Sequence, residues 1–183
     1  MPRINPISYE QADSEIKNLF DAVKNKFGMV PNIMATMAHS PAVLQAYMSF
    51  GQALGDGILT PLQREQIALA AAGTNNCVYC ASAHNLAVSG MGQDDEETQK
   101  NLQGQSSDPK TAAMLAFVRR MIEQRGWVED ADLDSLRDAG YQHSEVAEII
   151  ANVALNLFTN YFNHVAETEL DFPEVKMPAE IAR

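Results

Sequence analysis

Cys77 and Cys80 are the only cysteines in the chain, and they stand three residues apart in Cys-Val-Tyr-Cys-Ala-Ser-Ala-His, which ends at His84. At about 100° per residue, the two sulfurs and the imidazole fall within a helical stripe about 60° wide. Residues three apart on a helix bring their Cα atoms to about 5 Å, inside the range a disulfide tolerates. The pair can therefore pass between dithiol and disulfide with little backbone movement. In a reducing compartment such a close pair points to redox chemistry or metal binding rather than to a structural staple.

The stretch Gly73-Thr74-Asn75-Asn76 just before the motif reads as the end of one helix and the cap of the next. Unpaired N–H groups at a helix start lower a thiol pKa from about 8.5, and by that argument alone Cys77 is the better thiolate. His84, one turn beyond Cys80, can exchange a proton with the Cys80 sulfur directly or through a water. Glu65 lies twelve residues before Cys77, on the preceding helix. A folded-back helix pair would bring it to the imidazole, where it would orient and charge-balance His84.

Zinc is the main rival for this set, since Cys77, Cys80 and His84 supply three ligands and Glu65, His39, His143 or His164 a fourth. A structural zinc site normally draws on a second clustered pair, and the chain has none. Haem attachment needs histidine directly after the second cysteine, where Ala81 stands. No metal and no bound cofactor are expected. His39, His143 and His164 read as capping or surface residues, and two inert core cysteines are the bland alternative.

Helices must position these residues, and their punctuation is legible. Ser40-Pro41, Thr60-Pro61 and Asp108-Pro109 each read as N-cap then N1. Gly28, Gly55, Gly90, Gly126 and Gly140 close periodic stretches where a left-handed residue is wanted. Ser8 to Gln11 reads as a capping box opening an amphipathic helix to Phe27, with Ile16, Leu19, Phe20, Val23 and Phe27 on one face. Further helices are expected at 32–38, 41–54, 61–74, 77–89, 109–125, 130–139 and 144–169. Nothing marks strands, so the fold class is all-α. The polar stretch 92–108 reads as a connector, and its run Asp94-Asp95-Glu96-Glu97 as a solvated face or a helix start.

An offset of 83 residues sets Glu65-Gln-Ile-Ala-Leu-Ala-Ala-Ala against Glu148-Ile-Ile-Ala-Asn-Val-Ala-Leu. It suggests one all-helical domain over 1–183 with two degenerate halves, 1–92 and 108–183. The same offset lays Cys77 on Asn160 and Cys80 on Asn163, so the second half would carry no redox pair. Asn152, Asn156, Asn160 and Asn163 form a polar stripe expected to bond neighbouring helices or another subunit, with a pocket-lining role as the alternative. Met29, Met34, Met37 and Met48 are expected in the core, or as an apolar pocket wall near the cysteines.

The chain has 183 residues with 46% hydrophobic and 20% charged, enough for a packed core without disulfides. Its formal charge of −11 opposes nucleic acid and anionic lipid as partners. No apolar run approaches the roughly 20 residues that span a bilayer, and the opening Met-Pro-Arg-Ile-Asn-Pro is no signal peptide. A cytoplasmic protein is expected.

The spacing Glu-x11-Cys-x2-Cys-x3-His at Glu65, Cys77, Cys80 and His84 resembles the signature of the AhpD-like alkylhydroperoxidases within the carboxymuconolactone decarboxylase superfamily. Leu59-Thr60-Pro61, Arg64-Glu65 and Leu155-Asn156-x-x-Thr159-Asn160-Tyr161-Phe162-Asn163-His164 resemble its peroxidase-related subgroup. The resemblance implies an AhpD-like helical bundle, assembly into trimers or hexamers, and reduction of organic hydroperoxides or hydrogen peroxide with a Glu–His proton relay. It also implies Cys80 as the attacking sulfur, Cys77 as the resolving one, and a dithiol donor protein to restore the pair. One departure is Tyr79, where the characterised enzymes often carry histidine. A phenol is a poor proton shuttle at neutral pH, which makes the relay simpler or slower. The alternatives are a non-enzymatic redox-sensing or structural helical oligomer, and a carboxymuconolactone decarboxylase-type lyase, whose chemistry needs no dithiol.

Overall fold

Caps decide where most of the helices begin. The computed structural model describes residues 1–179, and among them it has nine α-helices and no strand. In chain order these are α1 (Ser14–Phe27), α2 (Asn32–Met37), α3 (Pro41–Gly55), α4 (Pro61–Thr74), α5 (Val78–Gly90), α6 (Asp95–Leu102), α7 (Pro109–Glu123), α8 (Asp130–Asp138) and α9 (His143–Ala166). Thr60 and Gln63 close a capping box on α4, and the Asp108 carboxylate accepts the Thr111 N–H on α7. Ser40 makes no such bond, so Pro41 alone marks the start of α3. No helix among the described residues is long and apolar enough to cross a membrane.

Three expectations need correction. Ser8 and Gln11 do exchange their two hydrogen bonds, at 3.2 and 3.4 Å, but they close a single turn. Asp13 then takes over as N-cap, accepting from Ile16 N–H at 2.9 Å, and α1 starts at Ser14. The stretch 92–108 holds a helix, α6, whose acidic run is its N-cap and first turn: Asp94 accepts from Glu97 N–H at 2.8 Å. Its buried residues are Thr98, Asn101 and Leu102, so it shows no apolar stripe to read. Gly55 and Gly90 end α3 and α5 inside the helix, whereas Gly28, Gly126 and Gly140 do take positive φ.

Buried apolar side chains form two clusters, and α4 serves both. Leu69 and Ala72 belong with α1, α2, α3, α5 and Leu102, while Ile67 and Ala70 belong with Leu59, α7, α8 and α9. Every residue from Gln66 to Gly73 is buried, as expected for a helix surrounded on all sides. Its small residues, Ala68, Ala70, Ala71, Ala72 and Gly73, let the neighbouring helices approach closely. The Glu148 carboxylate fixes the entry to α4 by accepting Ile58 N–H at 2.9 Å and Leu59 N–H at 3.1 Å.

Gly73 is the tightest point: a Cβ there would run into the backbone carbonyl of Leu102. Gly73→Ala must push α6 away from α4, and overpacking of this kind costs about 1–3 kcal/mol. Thermal unfolding of that variant should show a clearly lowered midpoint; an unchanged midpoint would mean the α4–α6 contact is not tight.

Candidate active site

A two-residue turn builds the site. Asn75 caps α4, Asn76 takes φ 55°, and Cys77 N–H returns to Ala72 O at 2.8 Å. Cys77 is then the N-cap of α5, its sulfur accepting Cys80 N–H at 3.4 Å. The sharp reversal folds α5 back along α4 and brings Glu65 to His84. Glu65 Oε2 and His84 Nδ1 lie 2.7 Å apart, both side chains 26% exposed. With a carboxylate as acceptor, Nδ1 carries the proton and Nε2 is left for exchange.

The two sulfurs sit side by side at 2.6 Å, with the Cys77 thiol as donor to Cys80. From α9, Asn163 Nδ2 donates to Cys80 Sγ at 3.2 Å. Burial pushes the Cys80 pKa up, but the Cys77 thiol, the His84 charge and the Asn163 and Asn160 amides outweigh it, leaving about 7. Cys77 is driven the other way, first by its hydrogen bond to Cys80 and then by burial. The helix-start argument for Cys77 therefore loses: the one N–H it receives is weaker than the donors gathered on Cys80. At His84 burial favours the neutral ring, yet the Glu65 charge and hydrogen bond and the Cys80 charge together raise its pKa.

A cavity of about 330 Å³ opens on Cys80 and not on Cys77. Its wall is largely apolar, with Phe27, Met29, Ile33, Met34, Leu86 and Phe172, and Glu65 and His84 stand at its edge. A second cavity of about 390 Å³ shares Tyr47, Glu65, His84 and Thr159 with it and adds Lys26, Arg64 and Asn156. The methionines divide: Met37 is core, Met34 is buried and touches both cavities, and Met29 and Met48 line one each. Tyr79 accepts Ile33 N–H at 3.2 Å and stacks edge-on to Phe172. Burial raises its pKa, so the phenol braces the wall instead of carrying protons.

The other histidines lie apart from this set. His39 Nε2 meets Asn5 O at 2.9 Å, His143 opens α9, and His164 lines a polar cleft with Arg119 and Glu123. Among the described residues, no group of three or more His, Cys, Asp or Glu side chains could hold a metal ion. The asparagine stripe splits. Asn152 and Asn156 donate to carbonyls of their own helix, whereas Asn160 accepts from Asn75 Nδ2 at 2.9 Å and Asn163 reaches Cys80. Asn163 as a partner of the sulfur was missed by sequence reasoning, although the 83-residue offset that aligns it with Cys80 was the signal.

The carboxymuconolactone decarboxylase family model matches residues 41–121. An uncharacterised peroxidase-related protein from Ralstonia eutropha with an alkylhydroperoxidase AhpD core superposes with a TM-score of 0.83 at 25% identity, covering 93% of this chain and 92% of that one. The debrominase Bmp8 shares the fold, with a TM-score of 0.78 at 19% identity over 92% of this chain and 91% of that one. Sestrin-1 of Xenopus laevis is 24% identical over 158 residues, 85% of this chain and 32% of that protein. The chain thus spans about a third of the length of the curated relative it matches.

The electrostatics predict a pH profile. Cys80 should be alkylated by iodoacetamide in preference to Cys77, with a rate rising through about pH 7. Glu65→Gln removes the charge that raises His84, so the imidazole is neutral at lower pH and the Cys80 midpoint moves upward. Peptide mapping of the alkylated protein across pH checks both; equal labelling of the two cysteines would refute the assignment.

Proposed function

We propose that this chain, similar over residues 41–121 to the carboxymuconolactone decarboxylase family and in fold to a peroxidase-related protein with an AhpD core, is a thiol-dependent hydroperoxide reductase. One observation carries this reading: Cys80, the readily ionised sulfur, is the cysteine that faces the apolar cavity, beside the Glu65–His84 pair. The Cys80 thiolate attacks the terminal oxygen of R–O–OH, the O–O bond breaks, and a sulfenic acid forms on Cys80. The departing R–O⁻ takes a proton from His84, whose charge Glu65 balances. Cys80 then no longer carries the charge that held the Cys77 pKa up. Cys77 loses its proton more readily, attacks the Cys80 sulfur and displaces water. Dithiol and hydroperoxide become disulfide, alcohol and water, and an external dithiol protein restores the pair.

The largely apolar wall favours an organic hydroperoxide over hydrogen peroxide. The same aromatic lining, Phe27, Tyr47, Tyr79 and Phe172, supports a second substrate class, a halogenated aromatic ring, in line with the debrominating fold neighbour. A redox-sensing oligomer without turnover is the remaining rival. For assembly, α9 turns Ile150, Phe158, Tyr161 and Val165 outward along one face, all at least 40% exposed. Such a stripe on the longest helix suits burial against further copies, as a trimer or a multiple of it.

Consumption of cumene hydroperoxide with a dithiol donor tests the reading. Mass spectrometry of the peroxide-treated protein should show loss of two hydrogens, and persistence of two alkylatable thiols would overturn the cycle. Glu65→Gln and His84→Gln should each slow consumption at least about tenfold, and the double variant little further, since the two act as one unit. Parent rates in both variants would dismiss the relay. Light scattering at micromolar concentration should report a trimer or its multiple; a stable monomer would refute the assembly.

A further inference from the structure

Asn163 carries a group that the cysteine contact does not use. Its side chain is 5% exposed, its Nδ2 is committed to Cys80 Sγ at 3.2 Å, and it lines the apolar cavity. Its Oδ1 is buried with no hydrogen-bond partner among the described residues. A carbonyl oxygen in such surroundings calls for a donor. Of the neighbouring cavity hydroxyls, Thr159 donates to Asn156 O at 3.0 Å and Tyr79 accepts Ile33 N–H at 3.2 Å, and none donates to Oδ1. With Nδ2 on Cys80 Sγ, the planar amide holds Oδ1 one amide width from that nitrogen, on a residue that lines the cavity Cys80 faces.

We propose that Asn163 is the substrate-positioning residue: its N–H holds the Cys80 thiolate while its C=O accepts the O–H of the incoming hydroperoxide. The inference rests on the reductase reading above. In the attack, sulfur bonds to the terminal oxygen, the O–O bond breaks, the hydrogen stays on the transferred oxygen, and R–O⁻ leaves to be protonated by His84. The product Cys80–S–O–H keeps both contacts, N–H to sulfur and O–H to Oδ1. The amide therefore follows the oxygen atom from peroxide to sulfenic acid. The substrate class it selects is the hydroperoxide proper, because a dialkyl peroxide has no O–H to offer.

The two halves of this role separate by pH. Stabilising the thiolate sets the midpoint at which Cys80 ionises, whereas gripping the O–H sets the rate once ionisation is complete. Rate constants for Cys80 with cumene hydroperoxide and with iodoacetamide, which has no peroxide to position, are compared in the parent and in Asn163→Leu, which keeps the branching and heavy-atom count but is apolar. The alkylation midpoint should rise, and above it the hydroperoxide rate should fall about tenfold relative to the iodoacetamide rate. Asn163→Asp, which keeps an acceptor but loses the donor, should raise the midpoint further yet keep the ratio near that of the parent. An equal ratio in Asn163→Leu and parent overturns the inference alone. A parent protein that alkylates normally but leaves every hydroperoxide intact overturns the reductase reading and this inference with it.

Discussion

A sulfur that is 3% exposed can hold a negative charge only if donors replace the water it has lost, and at Cys80 they come from two helices. The Cys77 thiol and His84 stand on either side of it along α5, while Asn160 and Asn163 approach from α9. Removing any of them shifts the balance toward burial and raises the pH at which the thiol ionises. The rest of the site is arranged around this balance. Glu65 acts at one remove, raising the His84 pKa and so favouring the charged imidazolium that acts on the sulfur.

Bringing two helices and a carboxylate to one atom demands close packing, and α4 makes it achievable. It lies between both core clusters, buried on nearly all sides, with alanine and glycine where neighbours press in. Larger residues there would separate α5 from α9 and open the Cys80–Asn163 contact. The short turn at Asn75 and Asn76 adds the second constraint. A left-handed residue at Asn76 reverses the chain at once, and a longer loop would carry His84 out of reach of Glu65.

The site also draws together segments far apart in the chain. Cys80 and Asn163 are separated by 83 residues and touch. Helix α5 carries Cys80 and His84, and α9 brings the amides of Asn160 and Asn163. The two helix paths differ: α4 breaks at Asn75 to let α5 begin, whereas α9 runs unbroken from His143 to Ala166. Glu65 meets a histidine, while Glu148 binds the backbone N–H groups of Ile58 and Leu59.

Local chemistry was written in the chain. Caps, prolines and terminal glycines announced most helices, because those residues act on backbone groups a few positions away. The spacing of Cys77, Cys80 and His84 placed them on one stripe, because helical geometry is fixed by three residues as well as by thirty. Even Glu65 could be anticipated, since a short turn leaves two successive helices little choice but to lie side by side. Helix α6 escaped notice because it buries Thr98 and Asn101, whose partners are tertiary. Which sulfur ionises was also beyond local reading. The helix-start rule favours Cys77, but the Cys77 thiol and the His84 charge act on Cys80 against burial, and the approach of α9, some eighty residues away, adds the Asn163 and Asn160 amides to that side of the balance. Sequence determined which groups share a face; packing decided which charges share a place, because the energy of a buried charge depends on every dipole around it and not on its neighbours along the chain.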